Sequence, residues 1–175
     1  PPGLFVSHHA SPVPGTCVTV TMEGRRPLLA EVQALTVPAT TPSPRRTSSG
    51  LDSARVAMIL AVLTKHGVAL GAADIYTASV GGARLTEASI DLAVALAVFS
   101  AAGENPLPAG LVAIGEVGLA GEVRPVRNLE SRLREAARIG FTHAIVPEGS
   151  EDLRSLGLSV ARVPDLRTAL RSLKI

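Results

Sequence analysis

Apolar residues alternate with polar ones near the start of the chain, and this two-residue period predicts β-strands. In GTCVTVTMEG, Val18 and Val20 alternate with threonines, and EGRRP then supplies a turn. Residues 28–37 form a second β-rich stretch, so the two segments predict a β-hairpin. The following PATTPSPRRTSSG contains three prolines, and we interpret it as an exposed loop that carries Arg45 and Arg46.

Five later segments have the three- to four-residue spacing of helices. Asp52 is placed to cap a helix that ends at Gly67, and this helix has an apolar face formed by Val56, Ile59, Leu60 and Leu63. ASIDLAVALAVFSAAG is apolar nearly all the way round, so we expect a buried helix that ends at Gly103. NLESRLREAARIG predicts an amphipathic helix with Asn128 as its N-cap, and EDLRSLG and VPDLRTALRSL predict two shorter helices.

Short apolar runs between these helices predict further strands. DIYTASV, LVAIGEVG and HAIVP are the clearest, and GEVRPV is expected to form a hairpin with LVAIGEVG. Gly81 and Gly82 fit a turn better than a phosphate-binding loop. Strands interleaved with helices predict one α/β (α+β) domain over residues 1–175, in which a mixed sheet packs against helices.

Composition narrows the class of protein. Hydrophobic residues make up 46% of the chain and aromatic residues 2%, so the core must consist of aliphatic side chains. Apolar runs stop short of a membrane span, which predicts a soluble protein without membrane contact. Cys17 is the only cysteine, which excludes an internal disulfide and a thiolate zinc site and fits a cytoplasmic protein. The absence of an initiator Met suggests a piece of a longer protein.

Long segments of the chain resemble a known family. TMEGRRPLLAEVQALTVP, PRRTSSGLDSARVAMILAVLTKHG, DIYTASVGGARLTEASIDLAVALAVFSAAGENPLP and LVAIGEVGLAGEVRPVRNLESRLREAARIGFTHAIVPEGS are similar to the C-terminal domain of the RadA (Sms) family of RecA-like ATPases. The last two also resemble the proteolytic domain of Lon. Mg-chelatase-like ATPases carry a related domain, but EGRRPLLAEVQAL and PRR favour RadA.

The resemblance implies a two-layer fold like the Lon proteolytic domain, assembled as a homohexameric ring beneath ATPase domains. It also implies a nucleoid-associated role in DNA repair and homologous recombination, with ATP-driven branch migration. No GxxxxGK[ST] loop occurs in these 175 residues, so the resemblance assigns ATP and Mg to a separate ATPase domain and zinc to a separate N-terminal finger. No cofactor is expected in the chain itself.

The resemblance to Lon raises the question of peptidase activity. Lon uses a Ser nucleophile and a Lys base, and the alignment places Ser89 at the nucleophile and Glu130 at the lysine, with a possible offset of a residue or two. No Lys occurs between Lys65 and Lys174, and Arg127 and Arg132 cannot serve as bases. We therefore expect a degenerate site, with residual Ser89/Glu130 hydrolysis as the alternative and a structural role for Ser89 at a helix start as the simplest interpretation.

Arginine supplies 15 of the 17 basic residues, because only Lys65 and Lys174 are lysines. Permanent forked cations suit phosphate oxygens, so we expect contacts to the DNA backbone without sequence preference. The candidate DNA-binding residues are Arg45, Arg46, Arg55, Arg84, Arg124 and Arg127. A pure oligomerisation scaffold that never touches DNA is the alternative.

The remaining polar candidates have structural interpretations. The helix at 129–139 interleaves Arg132, Arg134 and Arg138 with Glu130 and Glu135, which predicts a solvated ion-pair face. The histidines lack acidic or thiol neighbours at metal-ligand spacing and are expected to be surface or structural residues, namely His8, His9, His66 and His143. Cys17 is expected to be an unreactive thiol within a strand.

Overall fold

A computed structural model describes residues 12–149, 153 and 156–175. Nine strands are present in these residues: β1 Thr16–Glu23, β2 Arg26–Pro38, β3 Arg46–Ser49, β4 Ala73–Ser79, β5 Leu111–Ala113, β6 Glu116–Val117, β7 Val123–Arg124, β8 His143–Pro147 and β9 Ser159–Val163. The α-helices of the same residues are α1 Ser53–Lys65, α2 Asp91–Gly103, α3 Leu129–Ile139 and α4 Leu166–Leu173. His8, His9 and most of EDLRSLG lie outside the described residues.

Seven of the strands form one mixed sheet in the order β3-β4-β2-β1-β5-β8-β9, and β6 pairs with β7 in a separate hairpin. Strands β1 and β2 form the expected antiparallel hairpin, with Val20 opposite Leu29. Strands β5, β8 and β9 run parallel to one another. The predicted α/β class, with a mixed sheet packed against helices, is confirmed.

Helices cover both faces of the sheet. On one face, α1, α2 and α4 pack against alternate strand residues such as Val32, Ala113 and Ile145. On the other face, α3 packs against the intervening residues, including Val112 and Ala144. The aliphatic core expected from the composition is therefore divided by the sheet into two parts, and α3 adds a partial third layer to the main sheet-and-helix pair.

Some predicted elements were wrong in detail. The segment interpreted as a loop carrying Arg45 and Arg46 contains β3, which starts at Arg46 and pairs with β4 in parallel. The predicted strand LVAIGEVG is divided into β5 and β6, and strand β9 was not predicted. Parallel pairing to a distant strand stabilises β3 and β9, and four or five residues carry too little periodicity to reveal it.

Helix ends follow the predictions at α1 and depart from them at α3. The Asp52 carboxylate accepts hydrogen bonds from the backbone N–H groups of Ala54 and Arg55, as expected for an N-cap. Asn128 occupies the predicted N-cap position of α3, but its backbone is left-handed with φ 61° and its side chain makes no capping hydrogen bond. Helix α2 is buried from Asp91 to Ala101 except for the half-buried Phe99, and it ends at Gly103 as predicted. Among the helices of the described residues, none combines the length and the apolar character of a membrane span.

Candidate functional site: the Ser89 network and the exposed arginines

Ser89 lies in a short 3-10 turn, Ala88–Ile90, immediately before α2. The Gly115 N–H donates to the Ser89 carbonyl at 2.9 Å, and the Leu92 N–H donates to the Gly115 carbonyl at 3.0 Å. These two bonds fix the start of α2 against the segment that links β5 to β6. Ser89 is 5% exposed, so its hydroxyl must find partners inside the protein.

The basic side chain beside Ser89 is Arg132 of α3. Arg132 Nη1 lies 2.9 Å from Ser89 Oγ, 2.6 Å from Glu87 Oε1 and 2.9 Å from the Val20 carbonyl oxygen. Its Nε donates to the Arg127 carbonyl at 2.9 Å. The Arg132 side chain is 4% exposed, so this cation is almost completely enclosed. It joins β1, the Ser89 turn and α3 at one point.

Glu130 does not occupy the position that sequence alignment gave it. Its side chain is 49% exposed and bonds Arg134 one turn along α3, whereas Arg132, two residues later, contacts Ser89. The side chain of α3 that lies beside the Ser89 hydroxyl is therefore the Arg132 guanidinium and not the Glu130 carboxylate.

Glu87 completes the network as its acidic member. Ser89 Oγ donates to Glu87 Oε1 at 2.5 Å, and the Met22 N–H donates to the same oxygen at 3.3 Å. Burial opposes the charged carboxylate, but hydrogen bonds from Ser89 and Arg132 outweigh it and hold the pKa of Glu87 below its ordinary value. A carboxylate that is held ionised by two donors is a weak proton acceptor. The Ser89 hydroxyl thus lies between a guanidinium that donates to it and an ionised carboxylate that accepts from it.

A second buried ion pair lies one residue beyond Ile90. Arg55 donates from Nε and Nη2 to the two carboxylate oxygens of Asp91, at 2.9 and 2.5 Å, and Asp91 is fully buried. The Val117 N–H donates to Asp91 at 3.1 Å. Burial raises the pKa of Asp91 above its ordinary value, and the bidentate Arg55 contact offsets only part of that effect. Arg55 was expected to be a DNA-binding candidate, but its guanidinium already neutralises Asp91.

The other candidate arginines differ in their partners. Arg124 pairs with Glu122 at 2.8 Å and Glu116 at 3.5 Å, so its charge is also compensated. Arg45, Arg84 and Arg127 are exposed. Arg46 is exposed as well, and its Nη2 donates to the Gly71 carbonyl at 3.2 Å. Within residues 12–149, 153 and 156–175, none of these four forms an ion pair, and the structure leaves their charge available to an anion.

The solvated ion-pair face predicted for α3 is correct for two of its three arginines. Arg134 pairs with Glu130, and Arg138 pairs with Glu135 at 2.7 Å, on the exposed side of the helix. Arg132 was assigned to that face and is instead buried. Its spacing could have revealed this, because residue 132 shares the i, i+3, i+4, i+7 stripe of the buried Leu129, Leu133 and Ala136.

The remaining candidates behave as structural residues. Burial raises the pKa of the Cys17 thiol, which keeps it protonated. His66 Nδ1 lies 3.2 Å from Arg167 Nη2, and His143 Nδ1 lies 2.8 Å from Thr142 Oγ1. Among the residues that the structure describes, no three His, Cys, Asp or Glu side chains are grouped to hold a metal ion.

The chain is similar to one known protein family and to several DNA repair proteins. Residues 55–150 match the family described as "Subunit ChlI of Mg-chelatase". The chain is 49% identical to DNA repair protein RadA of Mycolicibacterium smegmatis, over 99% of the chain and 37% of that relative. It is 51% identical to RadA of Mycobacterium tuberculosis H37Rv, over 98% of the chain and 36% of the relative. The chain is 42% identical to RadA of Escherichia coli K12, over 97% of the chain and 37% of that relative. The chain thus spans a little over a third of these relatives. It belongs to the family described as subunit ChlI of Mg-chelatase, and along nearly its whole length it is a homologue of DNA repair protein RadA.

Proposed function

We propose that this chain is a non-catalytic, DNA-binding and ring-forming module of a RecA-like ATPase in DNA repair and homologous recombination. Relatives at 42–51% identity carry the name DNA repair protein, which supports the cellular role. The observation that carries the non-catalytic assignment is the 2.9 Å contact between Arg132 Nη1 and Ser89 Oγ. ATP hydrolysis, branch migration and the zinc site are assigned to other parts of a longer protein.

The Ser89 network favours a structural role over hydrolysis. A nucleophilic serine needs a neighbour that accepts its proton, and a guanidinium remains protonated at all physiological pH values. The Arg132 guanidinium donates a hydrogen bond to Ser89 Oγ. This bond occupies a lone pair that the oxygen would need to attack a substrate. Glu87 accepts the hydroxyl hydrogen bond, but its pKa is lowered, so proton transfer to it is unfavourable.

A fluorophosphonate probe tests this assignment against the alternative of a residual Ser-type peptidase. The probe reacts with activated serines, so we expect no labelling at Ser89 in the chain as it stands. The matched control is Ser89→Ala, which should give the same background signal. Labelling that disappears in Ser89→Ala, or peptide cleavage that depends on Ser89, would show that the site is catalytic.

DNA binding is supported by the exposed cations without acidic partners, namely Arg45, Arg46, Arg84 and Arg127. A ring of several chains would repeat this set, and neutralising DNA phosphates with it would release counterions. Aromatic residues make up only 2% of the sequence and leave little surface for base stacking, so contacts to the sugar-phosphate backbone should dominate. Arg55 and Arg124 drop out of the proposed surface because their charges are already paired.

Affinity for a fluorescent oligonucleotide at two salt concentrations tests DNA binding. We expect the affinity for DNA to fall steeply as the salt concentration rises. The double variant Arg45→Ala/Arg46→Ala should weaken binding and reduce the magnitude of the slope of log affinity against log salt concentration by about 2 for each chain that contacts duplex DNA. The matched control is Arg134→Ala/Arg138→Ala, which removes the same charge from two paired arginines. Equal losses in both variants would contradict the assigned surface, and absence of salt-dependent binding would favour a pure oligomerisation scaffold.

A further inference from the structure

Two arginines without acidic partners lie near the carboxyl end of β1. Arg25 is in the two-residue turn between β1 and β2, which the Glu23–Arg26 pair of the ladder closes. Arg127 lies two residues before the start of α3, and both arginines are exposed. Within the part of the chain that the structure describes, neither side chain forms an ion pair. We call Arg25 and Arg127 the turn site.

The buried Arg132 guanidinium joins the two segments that carry the turn site. It donates to the Arg127 carbonyl and to the Val20 carbonyl, each at 2.9 Å, so both backbones bind one side chain. Its partner Glu87 also accepts from the Met22 N–H, two residues further along β1. The network thus fixes the residues before α3 against the last residues of β1. A surface that is ordered in this way loses less conformational entropy when it binds a ligand.

Acidic residues near the turn site mostly have other partners. Hydrogen bonding from Arg138 and the charge of Arg26 lower the pKa of Glu135, so Arg26 lies close to a carboxylate and is left out of the turn site. Glu23 is exposed and lies opposite Arg26 in the ladder. Three other ion pairs within 2.7 Å engage the carboxylates of this region, namely Glu87–Arg132, Glu130–Arg134 and Glu135–Arg138.

The turn site is far from Arg45 and Arg46. Arg46 lies opposite Ile75 in the β3–β4 pairing, and Ile75 lies opposite Thr36 in the β2–β4 pairing. Arg26, which follows the turn directly, is the first residue of β2. Thr36 and Arg26 are ten residues apart on β2, which corresponds to about 33 Å at about 3.3 Å per residue. The two groups of arginines therefore lie near opposite ends of β2.

We propose that Arg25 and Arg127 form a second contact for the DNA sugar-phosphate backbone, separate from that of Arg45 and Arg46. This inference rests on the DNA binding proposed above and adds Arg25, which was not among the candidates from the sequence. Guanidinium groups bind phosphate oxygens with two parallel hydrogen bonds. Val20, whose carbonyl shares Arg132 with Arg127, is five residues from Arg25, at most about 17 Å. One short DNA segment can therefore contact both members of the turn site.

The affinity for a 20-bp duplex over a series of salt concentrations gives the first test. Arg25→Ala/Arg127→Ala should reduce the magnitude of the slope of log affinity against log salt concentration by about 1.8. This corresponds to binding that is about 30-fold weaker at 0.15 M salt, if the two contacts contribute nothing at 1 M. The bond from Arg132 to residue 127 is to the backbone carbonyl, so the substitution leaves that acceptor in place.

Arg134→Ala/Arg138→Ala is the matched control for this measurement. It removes the same net charge from two exposed arginines of α3 that already have acidic partners. We expect a much smaller change in the slope. Circular dichroism checks that both double variants are folded. Equal slopes for Arg25→Ala/Arg127→Ala and the control would overturn the proposal.

NMR spectroscopy with a short DNA locates the contact. A DNA hairpin with a 6-bp stem is about 20 Å long, so it cannot span the distance between the two groups of arginines. Adding it to Arg45→Ala/Arg46→Ala should still shift the amide resonances of Gly24, Arg25 and Arg127. Absence of these shifts would refute the turn site. If the unmodified chain shows no salt-dependent binding, the proposed function and this inference both fail; if binding depends on Arg45 and Arg46 alone, only this inference fails.

Discussion

Replacing Arg132 with methionine should destabilise the domain far more than replacing any other arginine of α3. Methionine keeps most of the buried stem and its packing, so the change removes mainly the guanidinium. Four acceptors then lose a donor: the Val20 and Arg127 carbonyls, Ser89 Oγ and Glu87 Oε1. This substitution isolates the energetic role of the network from the volume of the side chain.

The expected loss follows from the burial of each partner. Leaving a buried polar group without its hydrogen bond costs about 1–3 kcal/mol, and breaking a buried ion pair costs about 3–5 kcal/mol. Glu87 is 32% exposed and can recover some hydration, so the ion-pair share falls at the low end. We expect a total of about 4 kcal/mol, which for a domain of this size lowers the melting temperature by about 10 °C.

Urea denaturation followed by far-UV circular dichroism measures this loss. Arg134→Met is the control, because that side chain is 64% exposed and should change stability by less than about 0.5 kcal/mol. A double-mutant cycle with Glu87→Gln should show that the two losses are not additive, since both variants break the same pair. If Arg132→Met loses no more than Arg134→Met, the buried network does not stabilise the fold and the reasoning is wrong.

Three further predictions concern other buried groups. The pKa of Glu87 is lowered in the folded state, so its contribution to stability is present above the ordinary Glu pKa and is lost as the pH falls through the folded pKa. In urea titrations, the difference in unfolding free energy between the unmodified chain and Glu87→Gln should therefore shrink from about pH 6 to about pH 3. A difference that stays constant over this range would contradict the prediction. Arg55→Ala leaves Asp91 buried without its counter-ion and should cost about 3–5 kcal/mol in thermal unfolding, whereas a loss below about 1 kcal/mol would show that Asp91 does not need the pair. Cys17 should resist a thiol reagent in the folded chain and react once urea unfolds it; rapid reaction of the native protein would place the thiol at the surface.

Local patterns of the sequence were sufficient for most elements of the fold. The alternation around Val18 and Val20, the cap at Asp52 and the all-round apolar helix α2 were predicted and are present. Strand β3 was not, because its stability comes from parallel pairing with β4, about thirty residues away in sequence at Arg46↔Ile75. The intrinsic β-propensity of four residues stabilises a strand less than such a long-range pairing does.

By itself, the sequence determined which chemical groups the chain can offer. It contains no lysine between Lys65 and Lys174, so no fold could have placed an amine from that span beside Ser89. Only the tertiary structure decided which arginine fills that position, because Arg132 and Ser89 are 43 residues apart and meet through the packing of α3 onto β1. The same packing pairs Arg55 with Asp91 and leaves Arg45 exposed. Charge is a property of each residue, whereas its availability depends on which neighbours the fold brings within hydrogen-bond distance.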